Sequence, residues 1–458
     1  MAMLLRCRIA ATVLGTLVSL LPAQAGTPPP PPPTPAPAPT PTPTPTQEPA
    51  TEPPAVGETT PEAQPAPGER QGRGAGGRRR GQGQGGASGQ GAQAENQDLP
   101  EFKPVAAPTL AGLQGKQFFW FTMYPHFLVQ YDPTTDAVTK QIELKRGMFW
   151  STHLTHDRKR MLVVTDQQQV IEVVDLASGT LLGEHTFKEE GFILRIRDVR
   201  ECPGGVHWLV RTERVKKEID RYSFEAAQWL LYDTSTQKVV RKLKKLPDAL
   251  ERNTQLSADG THWQNQDDDG NLLFLDARNF KELGRIDLRT PRYFGAGAIR
   301  LSGNDLLDRR DPNRALMLFT SSDPVETRRS SWGVVELDLA SRRIVDVQEW
   351  GPSQNSFGLR IAPRKLVAAA MGGGFGGGNE RETRTRLVTI DLRTGQKIAE
   401  AFEEFRPRRS LVAISPDADK IYIGTAGSDF EVFDAGLKRL KTVELPGEIV
   451  GRIHVVDG

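Results

Sequence analysis

The chain has 458 residues, with 59 lysines and arginines against 57 aspartates and glutamates, and a formal net charge of +2 with both signs mixed throughout. That balance excludes a dedicated nucleic-acid binder, which would gather its basic residues into a stripe. The composition divides once, near residue 107, between a tract of Pro, Thr, Gly, Gln and Ala and a longer segment with ordinary proportions of Val, Ile, Leu, Phe and Trp. Only the second part can bury a core.

Residues 1–25 read as a secretory signal: Arg6 and Arg8, then the apolar "IAATVLGTLVSLL", then the small-residue site "AQA". The apolar run is short for a membrane-spanning helix. No later stretch reaches its length, so the mature chain is expected to lack a transmembrane segment. Cys7 leaves with the signal, Cys202 is then the one cysteine, and no internal disulfide can form. The expectation is an exported protein, periplasmic or extracellular.

Residues 26–107 read as a disordered linker. "GTPPPPPPTPAPAPTPTPTPTQEP" has too many prolines for a helix or a sheet interior, and favours extended polyproline II, at about 3.1 Å per residue. A Gly-, Arg- and Gln-rich stretch follows, with Arg78, Arg79 and Arg80 as its basic centre. A solvated spacer is the plainest role for it.

From residue 108 onward one pattern recurs seven times: "FLVQYDPTTDAVTKQIEL", "VIEVVDLASGTLLGEHTF", "WLLYDTSTQKVVRKLKKL", "NLLFLDARNFKELGRIDL", "GVVELDLASRRIVDVQEW", "RLVTIDLRTGQKIAEAFE" and "DFEVFDAGLKRLKTVEL". Each is an apolar strand, an Asp, a short turn and an alternating strand. The aspartates are Asp132, Asp175, Asp233, Asp276, Asp338, Asp391 and Asp434, spaced 43, 58, 43, 62, 53 and 43 residues apart. A base period of 43 with insertions indicates a propeller. The Asp has a structural reading: at the head of a turn its carboxylate accepts amide hydrogens and closes the hairpin.

A second hairpin precedes most copies, as in "THLTHDRKRMLVV", "TQLSADGTHWQN", "LRIAPRKLVAAA" and "VAISPDADKIYIG". The unit is therefore four strands, a to d. Residues 108–458 are predicted to form an all-β, seven-bladed β-propeller of four-stranded blades. The first unit starts at strand b, "QFFWFTM", and the last residues, "GRIHVVDG", have the character of strand a. The C-terminal strand is thus expected to join the first blade and close the ring, which removes an open edge.

The "SPDADKIYIG…VFD…LKTVELPG" blade resembles the YVTN-type propellers and, more loosely, the propeller subunits of quinoprotein amine dehydrogenases. The resemblance spans about residues 108–458 and implies the fold. In the amine dehydrogenases the modified quinone belongs to a small partner subunit, and no catalytic residue of that family has a counterpart here. The Trp-Asp and Gly-His pairs of WD40 repeats are absent. Pyrroloquinoline-quinone dehydrogenases have eight Trp-marked blades and an adjacent-Cys disulfide, against seven blades and one cysteine here.

The b–c and d–a loops of such blades emerge on one face, the a–b and c–d turns on the other. Long b–c loops occur in blade 3 ("TERVKKEIDRYSFEAA"), blade 5 ("SSDPVETRRSSW") and blade 6 ("MGGGFGGGNERETRT"), all on one face. That face also carries Phe149, Trp150, Phe192, Tyr293, Phe294, Phe357, Phe375, Phe405 and Arg406. Loops on a rigid scaffold carry binding, and aromatic and Arg side chains are the usual anchors, so this set is the candidate partner-binding face. A second set, His153, Gln255, Arg300, Arg360 and His454, lies on strand a beside the central channel and could line it for an anionic small molecule.

Other motifs point nowhere firm. His153 and His156 lack the converging ligands that zinc needs. Asn265, Asp267, Asp269 and Asp276 match the spacing of a calcium loop, but Asp276 is a repeat turn Asp and "DDDG" is good hairpin chemistry. "GGGFGGG" has no phosphate-cradling helix after it. No nucleophile elbow or separable carboxylate pair occurs, and no motif calls for a cofactor. The reading is an exported, monomeric, non-catalytic scaffold that binds a protein or envelope component. The alternatives are an amine-dehydrogenase-like propeller subunit and a lactonase-like enzyme.

Overall fold

The computed structural model describes residues 115–147, 150–165, 167–243, 254–257, 260–267, 270–291, 297–302, 313–323, 325, 330–352, 356–362, 364–373, 385–403, 411–424 and 427–457. The expected signal and linker lie outside these residues.

The fold is all-β, a ring of seven blades. Blade 1 contains β1 (Gln117–Met123), β2 (Phe127–Asp132) and β3 (Ala137–Glu143). Blade 2 is β4 (Ser151–Leu154), β5 (Arg160–Thr165), β6 (Val170–Asp175) and β7 (Thr180–Thr186). Blade 3 begins with β8 (Ile193–Glu201) and β9 (His207–Lys217), adds a short β10 (Tyr222–Phe224), and finishes with β11 (Gln228–Asp233) and β12 (Lys238–Leu243). Blade 4 runs through β13 (Gln255–Leu256), β14 (His262–Gln266), β15 (Leu272–Asp276) and β16 (Glu282–Ile286). Blade 5 holds β17 (Ile299–Ser302), β18 (Arg314–Ser322), β19 (Ser330–Asp338) and β20 (Arg343–Pro352). Blade 6 holds β21 (Ser356–Ala362), β22 (Val367–Gly373), β23 (Thr385–Asp391) and β24 (Gln396–Glu403). Blade 7 holds β25 (Leu411–Ile414), β26 (Ile421–Gly424), β27 (Asp429–Phe433) and β28 (Arg439–Glu444). The last strand, β29 (Ile449–Asp457), pairs antiparallel with β1, Gln117 opposite Asp457 and Trp120 opposite His454, and so completes blade 1 as its inner strand.

Side chains alternate across each strand, so every blade buries both faces. In β1, Phe119 and Phe121 pack toward blade 7 with Tyr422 and Phe430, while Trp120 packs toward blade 2 with Met161 and Val163. Each adjacent pair of blades shares one such cluster, the seventh joining blade 7 to blade 1. Fully burying one large apolar side chain stabilises by about 1.5–3 kcal/mol, so a core divided into seven slabs holds the ring without disulfides. Cys202 is a buried free thiol within one of them.

The seven turn aspartates act as expected. Oδ1 accepts an amide hydrogen from Thr134, Ser178, Ser235, Arg278, Ser341, Arg393 or Lys438, at 2.7–2.9 Å. The turn ends on a residue at positive φ, which is Gly at 179 and 395 but Asp136, Gln237, Phe280, Arg342 and Leu437 in the other blades. At the seam between blades 7 and 1 the turn is reinforced. The Asp136 carboxylate accepts from Lys420 (2.7 Å), Lys441 (2.6 Å) and the Tyr422 hydroxyl (2.6 Å), and that hydroxyl is also 2.9 Å from the Pro133 carbonyl.

One expectation is corrected. The long b–c loop of blade 3 is not an open loop: β9 continues past its pairing with β11 and folds back as β10, with Lys217 opposite Tyr222 and Val215 opposite Phe224. Blade 3 is therefore a five-stranded sheet. Val215 and Phe224 face each other across the two arms, and the charged run Lys216-Lys217-Glu218 leads into the turn.

Candidate functional site

The β9–β10 hairpin stands on the long-loop face and is braced from below. The Arg214 guanidinium lies 3.7 Å from the centre of the Phe192 ring, is 3.1 Å from Glu189 and pairs with Glu225. Lys242 reaches the same Glu189 at 3.2 Å. Burial would raise the Glu189 carboxyl pKa, but Lys242 and Arg214 outweigh it and hold it below its ordinary value. Phe192 is thus half-buried under a cation and serves the hairpin rather than offering a free surface.

Beyond that brace the hairpin presents apolar groups to solvent. Ile219 at its tip is fully exposed, and Tyr222 and Phe224 are more than half exposed. Trp150, whose backbone is anchored by a 2.7 Å bond to the Val164 carbonyl, is 56% exposed. Tyr124, in the b–c turn of blade 1, is equally open and has its amide tied to the Glu448 carbonyl at 2.8 Å. Val325, in the b–c loop of blade 5, is exposed as well. Every exposed large aromatic among the described residues belongs to this face. The other exposed large apolar residues are aliphatic: Leu182, Val239, Val240, Leu283, Val345, Ile398 and Leu440 line the outer strands, Val206 sits in an a–b turn, and Val450 begins β29.

Of the predicted face, Trp150 is on the surface and Phe192 is covered. Phe149, Tyr293, Phe294, Phe375, Phe405 and Arg406 lie outside the described residues, as does the side chain of Phe357 in β21. Tyr124, Ile219, Tyr222 and Phe224 were not singled out from sequence. The signal for Tyr222 and Phe224 is the alternation within "RYSFE"; Ile219 stands alone between Glu218 and Asp220.

The predicted channel residues do come from inner strands. Half-buried His153 has its Nε2 3.1 Å from the Ser151 hydroxyl. Burial chiefly lowers its pKa; Arg452 and Arg200 push it further down, against Asp198. His454 Nε2 is 2.8 Å from the Thr152 hydroxyl, which links β29 to β4. Arg360 donates to the Leu359 carbonyl at 3.0 Å and reaches from blade 6 to the Ile453 carbonyl of β29 at 3.4 Å. Arg300 on β17 is exposed. The side chain of Gln255 is outside the described residues.

The calcium spacing does not converge. Asp267 closes the b–c turn by accepting from the Asn271 amide at 2.7 Å, Asn265 is buried within β14, and Asp276 is at the opposite end of β15. Asp269 is outside the described residues. Among the described residues no group of three or more His, Cys, Asp or Glu side chains could hold a metal ion, and no helix is long and apolar enough to cross a membrane.

No family model matches the chain, and no curated protein matches it. Among solved structures it is similar to a functionally unknown protein from Desulfotomaculum acetoxidans, with 14% identity over 74% of this chain and 99% of that one and a TM-score of 0.41. It is also similar to the dihydro-heme d1 dehydrogenase NirN, with 12% identity, 79% and 77% coverage and a TM-score of 0.45. A third is apo AztD from Citrobacter koseri, with 12% identity, 75% and 99% coverage and a TM-score of 0.43. At these values the likenesses say nothing of activity.

Proposed function

We propose that this chain is an exported, non-catalytic propeller that presents its long-loop face to a protein or cell-envelope partner. One observation carries the reading: the exposed aromatic side chains are segregated on that face, on loops and a hairpin whose backbones are anchored. Tyr, Trp and Phe bring large contact area at small conformational cost and are enriched in interface cores. The hairpin is pre-formed, which spares the partner the entropy of ordering a loop.

A photo-crosslinking amino acid placed in the native host at Trp150, Phe224 or, as a rim control, Leu283 tests the reading. The expected result is one shared partner adduct from the first two positions and none from the third. That adduct should fall at least tenfold when Trp150→Ala or Phe224→Ala is combined with the probe at the other site. Equal labelling at the rim, or no adduct at either face position, would sink the proposal. Amino-terminal sequencing of the same material tests export, with Gly26 the expected first residue.

A further inference from the structure

The central channel has its own chemistry, independent of whatever docks on the long-loop face. The inner strands hold more cations than the neutral chain as a whole: Arg300 on β17, Arg360 on β21, Arg452 and His454 on β29, and His153 on β4. The nearest carboxylate in the inner-strand set, Asp198, is already engaged, since Arg200 Nε lies 2.8 Å from its Oδ2 and a second guanidinium nitrogen 2.7 Å away. Asp457 and Glu201 sit at the turn-face ends of their strands. Arg300 and Arg452 are exposed and make no hydrogen bond or ion pair among the described residues.

Two geometric features bring Arg360, Arg452, His454 and His153 together, and β17, which carries Arg300, runs beside β21. Arg360 spans from blade 6 to the backbone of Ile453, between Arg452 and His454, so blades 6 and 1 contribute to one place. β29 is bulged there: Trp120 pairs with His454 and Thr122 with Val450, leaving Gly451, Arg452 and Ile453 opposite Phe121 alone, with Gly451 at φ 86°. A bulge re-aims a side chain that regular alternation would place elsewhere. Arg452 lies close enough to His153 for its charge to oppose protonation of the imidazole, which brings blade 2 into the same group. Guanidinium groups gathered from several inner strands suit an anion, because their planar donors match carboxylate and phosphate oxygens.

We infer that the channel binds a small oxyanion, a carboxylate- or phosphate-bearing molecule, between Arg300, Arg360 and Arg452, with His153 and His454 as further hydrogen-bonding groups. The full exported chain would be titrated with citrate and, separately, with inorganic phosphate by calorimetry at low and at raised salt. Arg300→Ala and Arg452→Ala should keep the thermal midpoint, because neither side chain makes a hydrogen bond or ion pair among the described residues. Each should weaken binding about tenfold and both together should abolish it, while Arg221→Ala on the exposed hairpin should leave it unchanged. Saturable, salt-sensitive binding of citrate alone assigns a carboxylate ligand, and of phosphate alone a phosphorylated one; binding of both supports the oxyanion site without choosing. Failure of both probes to bind the unaltered chain, or undiminished affinity in the double variant, overturns it.

Discussion

On the turn face the seven blades repeat one device: an Asp accepting amide hydrogens at the head of a c–d turn, then a residue at positive φ. On the long-loop face the described residues differ from blade to blade. One carries a braced hairpin with an apolar tip, another an exposed Trp, another a single exposed Tyr. What every blade repeats is what every blade needs in order to form. What single blades carry on the long-loop face is not needed by the other blades and is free to serve a partner. The turn face should therefore respond to perturbation through stability, and the long-loop face through binding.

Acidification should divide the two most strongly. The carboxyls of Asp132, Asp136, Asp276 and Asp338 are held below their ordinary pKa, and those of Asp233 and Asp391 come down to about 2, because hydroxyls, amides or cations bond the charged form. A carboxylate with a lowered folded pKa stabilises the fold above its unfolded value and loses that contribution as pH falls through the folded one. Two glutamates run the other way. Burial raises the Glu172 and Glu201 carboxyls, so protonating them favours the fold as pH drops toward their unfolded value. Denaturant midpoints should rise slightly between pH 7 and about 4.5, then fall steeply from about 4 toward 2. A monotonic decline from pH 7 would show that the buried glutamates carry no such effect.

The seam gives the next largest effect. Asp136 is a turn residue that also gathers two lysines and a tyrosine from blade 7. Burial would raise its pKa, but those three bonds lower it. Removing one member of a buried ion pair strands the others, so Asp136→Ala should lower unfolding free energy by about 3 kcal/mol. Asp276→Ala, which removes only local turn bonds, should cost about 1 kcal/mol. Equal losses in chemical denaturation would mean that the closing seam is no stronger than any other turn.

How much of this was legible follows from the same contrast. The repeated Asp and its spacing revealed seven hairpins, because each blade writes the same local chemistry, and the missing first strand a pointed to β29. The seam clasp was not legible: Asp136 reads as an ordinary turn residue until closure brings Lys420, Lys441 and Tyr422, from the far end of the chain, against it. The sequence places Phe192 on the surface because it cannot show Arg214 lying over its ring. Arg452 does not stand out in the sequence because its place depends on a bulge, and a bulge breaks the two-residue period on which strand reading rests.

The smallest effect tests whether the repeated turn is optimised in every blade. Gly179 and Gln237 occupy the same turn position, at φ 75° and 54°. Gln237 is exposed and makes no hydrogen bond among the described residues, so its side chain brings nothing to offset the steric penalty of a left-handed L-residue. Gln237→Gly should relieve about 1 kcal/mol of that penalty and return part of it as added unfolded-state entropy, for a net gain of about 0.5 kcal/mol. Gly179→Ala should move the other way by about 1 kcal/mol, because its new Cβ would also meet the Lys140 Cδ at 3.2 Å. Opposite shifts in the urea midpoint, with trapping at Trp150 and Phe224 unchanged, would show that turn chemistry tunes the scaffold and leaves the binding face alone. A gain in stability accompanied by loss of the crosslink would break the division between the two faces.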